Sequence, residues 1–196
     1  MRKQINQVYQ FKITLIGSKP PIWRKIIVPG NYRFWDLHVA IQDAMCWEDY
    51  HLHQFNMYSP RTKRNVQIGH PLSDDHMKST NEFIRDFFSL QNPSATYVYD
   101  FGDDWRHKLT LEKVMPEKED VVYPLCTGGK GACPPEDCGG LGAYYYHLEV
   151  LRNPKAEDYE EVSEWYEEGF DPDEFDPDKV IFSDPHEEQK RMEESE

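Results

Sequence analysis

The residues best suited to chemistry begin with three of the chain's four cysteines, Cys126, Cys133 and Cys138, which lie within one short stretch. Thiolates bind zinc, normally in sets of four ligands, so a closed site would need a fourth ligand such as His107 or His147. The spacing lacks the paired CxxC of common structural zinc sites. Three alternatives stay open: a zinc site, a disulfide, or free thiols in a loop held by packing.

The segment that carries these cysteines, residues 126–140, also contains five glycines and two prolines. Glycine loses conformational entropy in a helix or strand, and proline removes a backbone donor. We therefore expect an irregular loop over the whole segment. Glu136 and Asp137 would place two carboxylates at the mouth of this loop, or accept backbone N–H bonds in a rigid turn.

Two histidines, His51 and His53, are spaced two residues apart on a predicted strand. Side chains at this spacing share one face of a strand, which is a geometry that can chelate a metal ion. The alternative is a pair of partly exposed histidines beside the core.

A predicted turn concentrates ionisable and aromatic side chains at Asp100, Asp103, Asp104, Trp105 and His107. Paired acids with a histidine can coordinate a divalent cation or act as general acid and base. The structural alternative is a tight turn in which Gly102 adopts positive φ, the aspartates cap free N–H groups, and aromatic residues anchor the turn.

These polar segments are predicted to converge beside an aromatic core and to form one cleft. The cleft would be lined by His51, His53, Asp100, Asp103, Asp104, Trp105, His107, Glu136 and Asp137. Cys126, Cys133 and Cys138 are the candidate metal ligands, and zinc is the candidate ion.

The elements that must position these residues follow from hydrophobic periodicity. Alternation predicts strands, and apolar spacing of three to four predicts helices. The predicted strands are 8–17, 22–28, 52–58, 63–68, 95–101 and 105–114, and the predicted helices are 34–46, 144–151 and 158–168. This order predicts an α+β fold with a β-grasp-like mixed sheet and a C-terminal helical extension.

We expect a single domain over residues 1–196. It divides into a sheet-and-helix core (8–115), the cysteine loop (116–142), an acidic helical extension (143–185) and a frayed tail (186–196).

Charge is distributed unevenly along the chain. The net charge is −14, and residues 147–196 carry all of it, since residues 1–146 contain 17 acidic and 17 basic side chains. A DNA-binding protein needs a positive footprint, and these totals supply none. The N-terminus lacks the apolar run of a secretory signal, and no run is long enough for a membrane helix. We expect a cytoplasmic protein without a membrane partner.

Several motifs together carry a family resemblance. They are Ile22-Trp23-Arg24, Leu37-His38, Ile41-Gln42, Trp47, His51 to Phe55, Tyr99 to His107, Ala132 to Gly140 and Phe170-Asp171-Pro172. On these motifs the chain, from about residue 8 to residue 182, resembles the Ri-plasmid orf-three-like family, also described as insertion-element passenger proteins. Tyr144-Tyr145-Tyr146 departs from the Gly-Tyr-acidic start expected for the following helix.

The resemblance implies a link to mobile genetic elements but no activity. The family's "resolvase-like" label finds no matching serine, arginine cluster or DNA-binding helix pair in this chain.

The residues favour an intracellular, non-enzymatic binding module with a protein partner, because no complete catalytic set can be assembled. The first alternative is a metal-dependent hydrolase acting on phosphoesters, with His, Asp and Cys ligands and with Glu136 or Asp137 as base. The second alternative is a DNA-binding accessory protein.

Overall fold

The computed structural model describes residues 6–70 and 76–195, in which one eight-stranded sheet is packed against helices. The strands are β1 (Gln7–Leu15), β2 (Trp23–Pro29), β3 (His53–Ser59), β4 (Arg64–Gly69), β5 (Met77–Lys78), β6 (Ser94–Tyr99), β7 (Trp105–Pro116) and β8 (Leu125–Lys130). The helices are α1 (Phe34–Met45), α2 (Gly140–Leu151), α3 (Tyr159–Ser163) and α4 (Pro185–Ser195). Residues 1–5, 71–75 and 196 of the predicted domain lie outside this description.

The strands follow the order β5-β4-β3-β6-β7-β1-β2-β8 across the sheet. Every neighbouring pair is antiparallel except β4 and β5, which are parallel. The predicted α+β class and mixed sheet are confirmed. None of the described helices has the length and apolar character needed to cross a membrane.

Aromatic side chains fill the core between the sheet and α1. Phe34 on α1 packs edge-on against Phe55 of β3, with ring centroids 5.1 Å apart. Phe11 of β1 packs edge-on against Phe88 at 4.9 Å. All four rings are buried, as the predicted amphipathic stripe of this helix and the alternation of these strands require.

The expectation of an irregular loop throughout residues 126–140 is wrong at its start, because β8 extends to Lys130 and pairs with β2 at the edge of the sheet. Glycine is useful there. A Cβ on Gly129 would lie 2.2 Å from the Phe175 ring and 2.9 Å from the Trp23 carbonyl oxygen. The close approach of a second segment explains why a glycine-rich sequence forms this strand.

The C-terminal region also differs from expectation. Residues 186–196 were expected to fray, whereas Pro185–Ser195 forms α4. The Trp35 indole N–H donates to the Pro185 carbonyl at 2.8 Å, and the Ser183 backbone N–H donates to Asp43 at 2.9 Å. These long-range bonds fix the start of the helix against α1, a contact that local sequence cannot reveal.

Candidate functional site

One ionisable side chain from each of three distant segments meets at one end of the sheet. His51 precedes β3, Asp100 follows β6, and Asp137 lies between β8 and α2. The His51 Nε2 atom is 2.6 Å from Asp137 Oδ1 and 3.8 Å from Asp100 Oδ2. The donor atoms of the three residues lie within 4.8 Å of one another. We call this group the His51 cluster.

Both carboxylates of the His51 cluster lie on left-handed backbone. Asp100 has φ of 51° and Asp137 has φ of 60°, a conformation that aspartate tolerates better than most residues. Asp100 Oδ1 accepts a bond from the Gly102 N–H at 2.8 Å, and the Asp104 N–H donates to the Asp100 carbonyl at 2.7 Å. The tight turn therefore aims one oxygen of Asp100 at the backbone and the other at His51.

The electrostatics of the His51 cluster favour a protonated imidazole. Partial burial of His51 opposes protonation. The hydrogen bond to Asp137 and the negative charges of Asp100, Asp137 and Glu136 outweigh that effect, so the pKa of His51 is raised above its usual value.

Glu136 fixes the cysteine-bearing loop to the segment before His51. Its carboxylate accepts the Glu48 backbone N–H at 2.7 Å and the Tyr50 backbone N–H at 3.4 Å. It also accepts the Tyr99 hydroxyl. Glu136 is therefore held by these bonds and does not point freely into solvent. It keeps Asp137, the next residue, beside His51.

Three large apolar side chains next to the His51 cluster are left exposed. Tyr50 is 67% exposed, Leu52 is 42% exposed and Phe101 is 44% exposed. They are chain neighbours of His51 and Asp100, and the Asp100 N–H donates to the Leu52 carbonyl at 3.0 Å. Tyr50 and Leu52 therefore leave apolar area exposed on either side of His51 in the chain, whereas Phe101 also lines the depression that contains Asp104 and Arg106.

Three other residues predicted for the cleft are core side chains. His53, Trp105 and His107 are all buried. The His53 ring stacks on His38, and Trp47 packs edge-on against His107 with centroids 5.5 Å apart. They support the cleft from beneath and do not line it.

Two aspartates predicted for the cleft point elsewhere. Asp103 accepts the Gly139 N–H at 3.0 Å and so fixes the start of α2. Asp104 pairs with Arg106 at 2.8 Å, and both line a shallow depression on the other face of the sheet.

A buried polar chain beneath the cleft was not predicted. Gln42 donates to the Tyr97 hydroxyl at 2.8 Å, and that hydroxyl lies 2.8 Å from His38 Nδ1. The other nitrogen of His38 is 2.9 Å from Asp49. Burial lowers the pKa of His38 to about 3 and raises the pKa of Asp49 to about 7. The sequence did carry a signal for this chain, because His38 and Gln42 are polar residues spaced four apart on the buried side of the predicted helix.

The neutral state of His38 dictates how this chain is hydrogen-bonded. Since Gln42 donates to the Tyr97 oxygen, the Tyr97 O–H is free to donate to His38 Nδ1. The Nε2–H of His38 then donates to a carboxyl oxygen of Asp49. Every member except Asp49 is buried, so the chain links the surface to the middle of the core.

The structure places the cysteines predicted as zinc ligands in separate contacts, Cys126 with the Gly128 carbonyl and Cys133 with Arg24. In the part of the chain that the structure describes, the His51 cluster is the one group of three or more potential metal-ligand atoms lying this close together. All four cysteines are free, and Cys133 lies 3.3 Å from the Arg24 guanidinium. Burial raises the pKa of Cys133 to about 11 and that of Cys138 to about 12. These thiols are packed as neutral groups.

Comparison with known proteins gives consistent matches. The model of the family described as "Plasmid pRiA4b ORF-3-like protein" matches residues 7–179. The uncharacterized protein y4hQ of Sinorhizobium fredii is 32% identical over 168 residues, which span 82% of this chain and 81% of the relative. The crystal structure of a protein of unknown function, MM3350 of Methanosarcina mazei Go1, is 47% identical with a TM-score of 0.86. It covers 91% of this chain and 100% of its own.

Proposed function

Because the chain belongs to the plasmid pRiA4b ORF-3-like family, whose two matched relatives are an uncharacterized protein and a protein of unknown function, we propose its function from its own geometry. It is a binding module whose cleft, centred on the His51 cluster, holds a basic segment of a protein partner. The observation that carries this proposal is the meeting of His51, Asp100 and Asp137 beside the exposed side chains of Tyr50 and Leu52.

The charge around the cluster supports a basic ligand. Asp100, Asp137 and Glu136 all act electrostatically on His51, and Glu48 lies beside the Tyr50 hydroxyl. A single imidazolium cannot neutralise this many carboxylates. A lysine or arginine side chain would gain charge-assisted hydrogen bonds there, most strongly where an aromatic ring also faces it.

Exposed apolar side chains support a protein partner over a free ion. Tyr50 and Leu52 leave apolar area in water on either side of His51 in the chain. Interaction surfaces commonly combine aromatic side chains with a small set of charged groups. We propose further that the module acts inside the cell, where its four cysteines would stay reduced.

The test uses a fluorescein-labelled peptide of alternating arginine and leucine, with fluorescence anisotropy as readout. We expect the double variant Asp137→Asn with Tyr50→Ala to weaken binding about tenfold or more, which corresponds to roughly 1.4 kcal/mol. The matched control removes two carboxylates from the acidic extension, Glu160→Gln with Glu164→Gln. The proposal is overturned if the wild type does not bind, or if the control variant loses as much affinity as the cleft variant.

A second candidate function is metal-dependent hydrolysis at the same cluster. The specific observation in its favour is that one imidazole nitrogen and two carboxylate oxygens lie within 4.8 Å. Such a donor set suits divalent transition metals and leaves coordination positions open for water. Calorimetric titration with zinc and manganese, followed by assay with bis(p-nitrophenyl) phosphate, tests it. Here His51→Ala must abolish both metal binding and turnover, whereas peptide binding needs Tyr50 and no metal.

A further inference from the structure

The face of the sheet opposite α1 has a composition of its own. On β1, Lys12 lies opposite Lys25 of β2, and Thr14 lies opposite Trp23 of β2 and Lys108 of β7. Residues paired across antiparallel strands project to the same side, so these side chains share one face. We call it the open face, since most of its side chains are exposed or half-buried, Gln10 and Val98 excepted, whereas those of the other face form the core.

The open face is positively charged in a chain of net charge −14. Besides Lys78 and Lys113, the cations that the register of the described residues places on it are Lys12, Lys25, Arg106, Lys108 and Lys130. Its acidic residues are Glu112, which pairs with Lys25 at 2.9 Å, and Asp104, which pairs with Arg106 at 2.8 Å. Lys12, Lys108 and Lys130 are left without an ion pair among the described residues, and the face therefore carries a net positive charge.

The placement of these lysines opposes folding. Lys12 and Lys25 lie directly opposite each other, and like charges in that position destabilise a sheet. Lys108 lies diagonally from Lys12, opposite the next residue of the same face on β1. Glu112 pairs with Lys25 and also interacts electrostatically with Lys12, which lies over the Trp23 ring, whereas Lys108 has no ion pair among the described residues. A concentration of like charge that the fold does not need is the electrostatic footprint expected for an anionic ligand.

An aromatic side chain lies within this basic patch. The Trp23 ring is half-buried, and the Lys12 Nζ atom is 4.9 Å from its centroid. The neighbouring strand β8 presents Gly128 beside the ring, where even a Cβ would lie 3.8 Å away. The strand thus places no side chain over the indole. An aromatic face flanked by lysines can stack on a base while the lysines contact phosphates.

Neutral hydrogen-bonding side chains fill the rest of the open face. Thr96 of β6 lies opposite Lys108 and opposite Asn56 of β3, and Gln67 of β4 lies opposite Asn56. Thr96 and Asn56 line the shallow depression that also contains Arg106, beside the basic patch. Hydroxyls and amides of this kind can bond to base edges and sugars without strong sequence selection.

We propose that the open face binds single-stranded nucleic acid, with phosphates on Lys12, Lys25 and Lys108 and a base stacked on Trp23. A single strand fits because its bases are free to stack on the indole, whereas a duplex hides its base faces. The open face is separate from the His51 cluster, so this proposal does not depend on the protein-partner proposal.

The experiment measures anisotropy of fluorescein-labelled oligo(dT) and oligo(rU) with the full chain at low salt. Binding is expected. A plot of log affinity against log salt concentration should fall with a slope of about 0.7 for each phosphate contact. Lys12→Glu with Lys108→Glu should weaken binding at least tenfold and flatten the salt dependence. Trp23→Ala should weaken binding and leave the salt dependence unchanged. Trp23→Phe should retain most of the binding affinity.

Two controls distinguish the open face from charge in general. The matched variant Lys155→Glu with Lys190→Glu reverses two exposed lysines outside the open face and should bind as the wild type does. Duplex DNA and poly-glutamate serve as competitors. The inference fails if no oligonucleotide binds at low salt, if the matched variant loses as much affinity, or if either competitor displaces the single strand equally well.

Discussion

The imidazole rings of His38 and His53 lie face to face, with centroids 3.6 Å apart and planes tilted by 14°. Two charged rings could not occupy this position, and burial lowers the pKa of both side chains, that of His38 to about 3. Burial lowers the pKa of a third core histidine, His107, to about 3 as well. The folded protein thus keeps three neutral histidines that would be protonated in acid if the chain unfolded.

The first prediction concerns stability in acid. A histidine whose folded pKa lies below its unfolded value of about 6.5 stabilises the fold above that pH and loses this contribution as pH falls toward 3. His107, with a pKa of about 3, should account for about 2 kcal/mol of the stability lost between pH 6.5 and pH 5. The groups that face it include Arg24, whose charge also lowers the pKa of His107, and the Tyr97 ring. His107→Phe should therefore flatten the pH dependence of urea denaturation.

His107 is the better test because His38 is bonded to Asp49. Burial raises the pKa of Asp49 to about 7, so the folded protein gains stability from Asp49 as pH falls below 7. This gain opposes the stability that His38 loses over the same pH range. Exposed His186 provides the control, because His186→Gln should leave the acid sensitivity unchanged. An unaltered slope in His107→Phe would show that this histidine is not kept neutral by the fold.

The second prediction compares two neighbouring tyrosines of β6. Tyr97→Phe removes the hydroxyl between Gln42 and His38 and leaves buried polar atoms without a partner, which costs about 1–3 kcal/mol. Tyr99→Phe removes a bond to half-exposed Glu136, whose oxygens can turn to water and keep their backbone donors, and a long 3.3 Å bond from the backbone N–H of half-buried His51. Denaturant unfolding at neutral pH should therefore show the larger loss for Tyr97→Phe. Equal losses would mean that the buried chain stabilises no more than the surface contact.

The sequence predicted the α+β class, the central strands and α1, because periodicity of two or 3.6 survives in any tertiary context. The convergence of His51, Asp100 and Asp137 was also anticipated, since polar turns at one end of a sheet meet there. The alternation of side chains along a strand placed His51 and His53 on the same face and could not show that only His51 would line the cleft. The strand begins only at His53, so its ring turns into the core while His51 stays at the rim.

The remaining features depend on contacts that sequence spacing does not encode. The thiols of Cys126, Cys133 and Cys138 lie near one another in sequence, but β8 and the turns after it direct them to different parts of the core. His38 was visible as part of a motif, yet its bonds to Tyr97 and Asp49 arise only when α1 packs on the sheet.

The third prediction concerns the protonation of His51. The pKa of His51 is raised because the hydrogen bond to Asp137 and nearby carboxylates outweigh burial. Asp137→Asn removes one charge and leaves at most a weaker, neutral hydrogen-bond acceptor beside His51, while asparagine tolerates the same left-handed backbone. The pKa of His51, followed by NMR titration of the ring protons, should fall in this variant. Asp104→Asn, which removes an equal charge paired to Arg106, should leave it unchanged. A fall of equal size in both variants would contradict a direct pairing with Asp137.

The fourth prediction concerns the reactivity of the cysteines. A thiol reacts as its thiolate, so burial that raises the pKa of Cys133 to about 11 and of Cys138 to about 12 suppresses reaction near neutral pH. Burial also raises the pKa of Cys126, whereas Cys46 is exposed at the end of α1. With Ellman's reagent the native protein should therefore release a fast signal from one thiol, and the denatured protein from four. Cys46→Ser should remove the fast phase alone. A fast phase of two or more thiols would mean that the cysteine-bearing loop opens in solution, and fewer than four thiols after denaturation without reductant would reveal a disulfide.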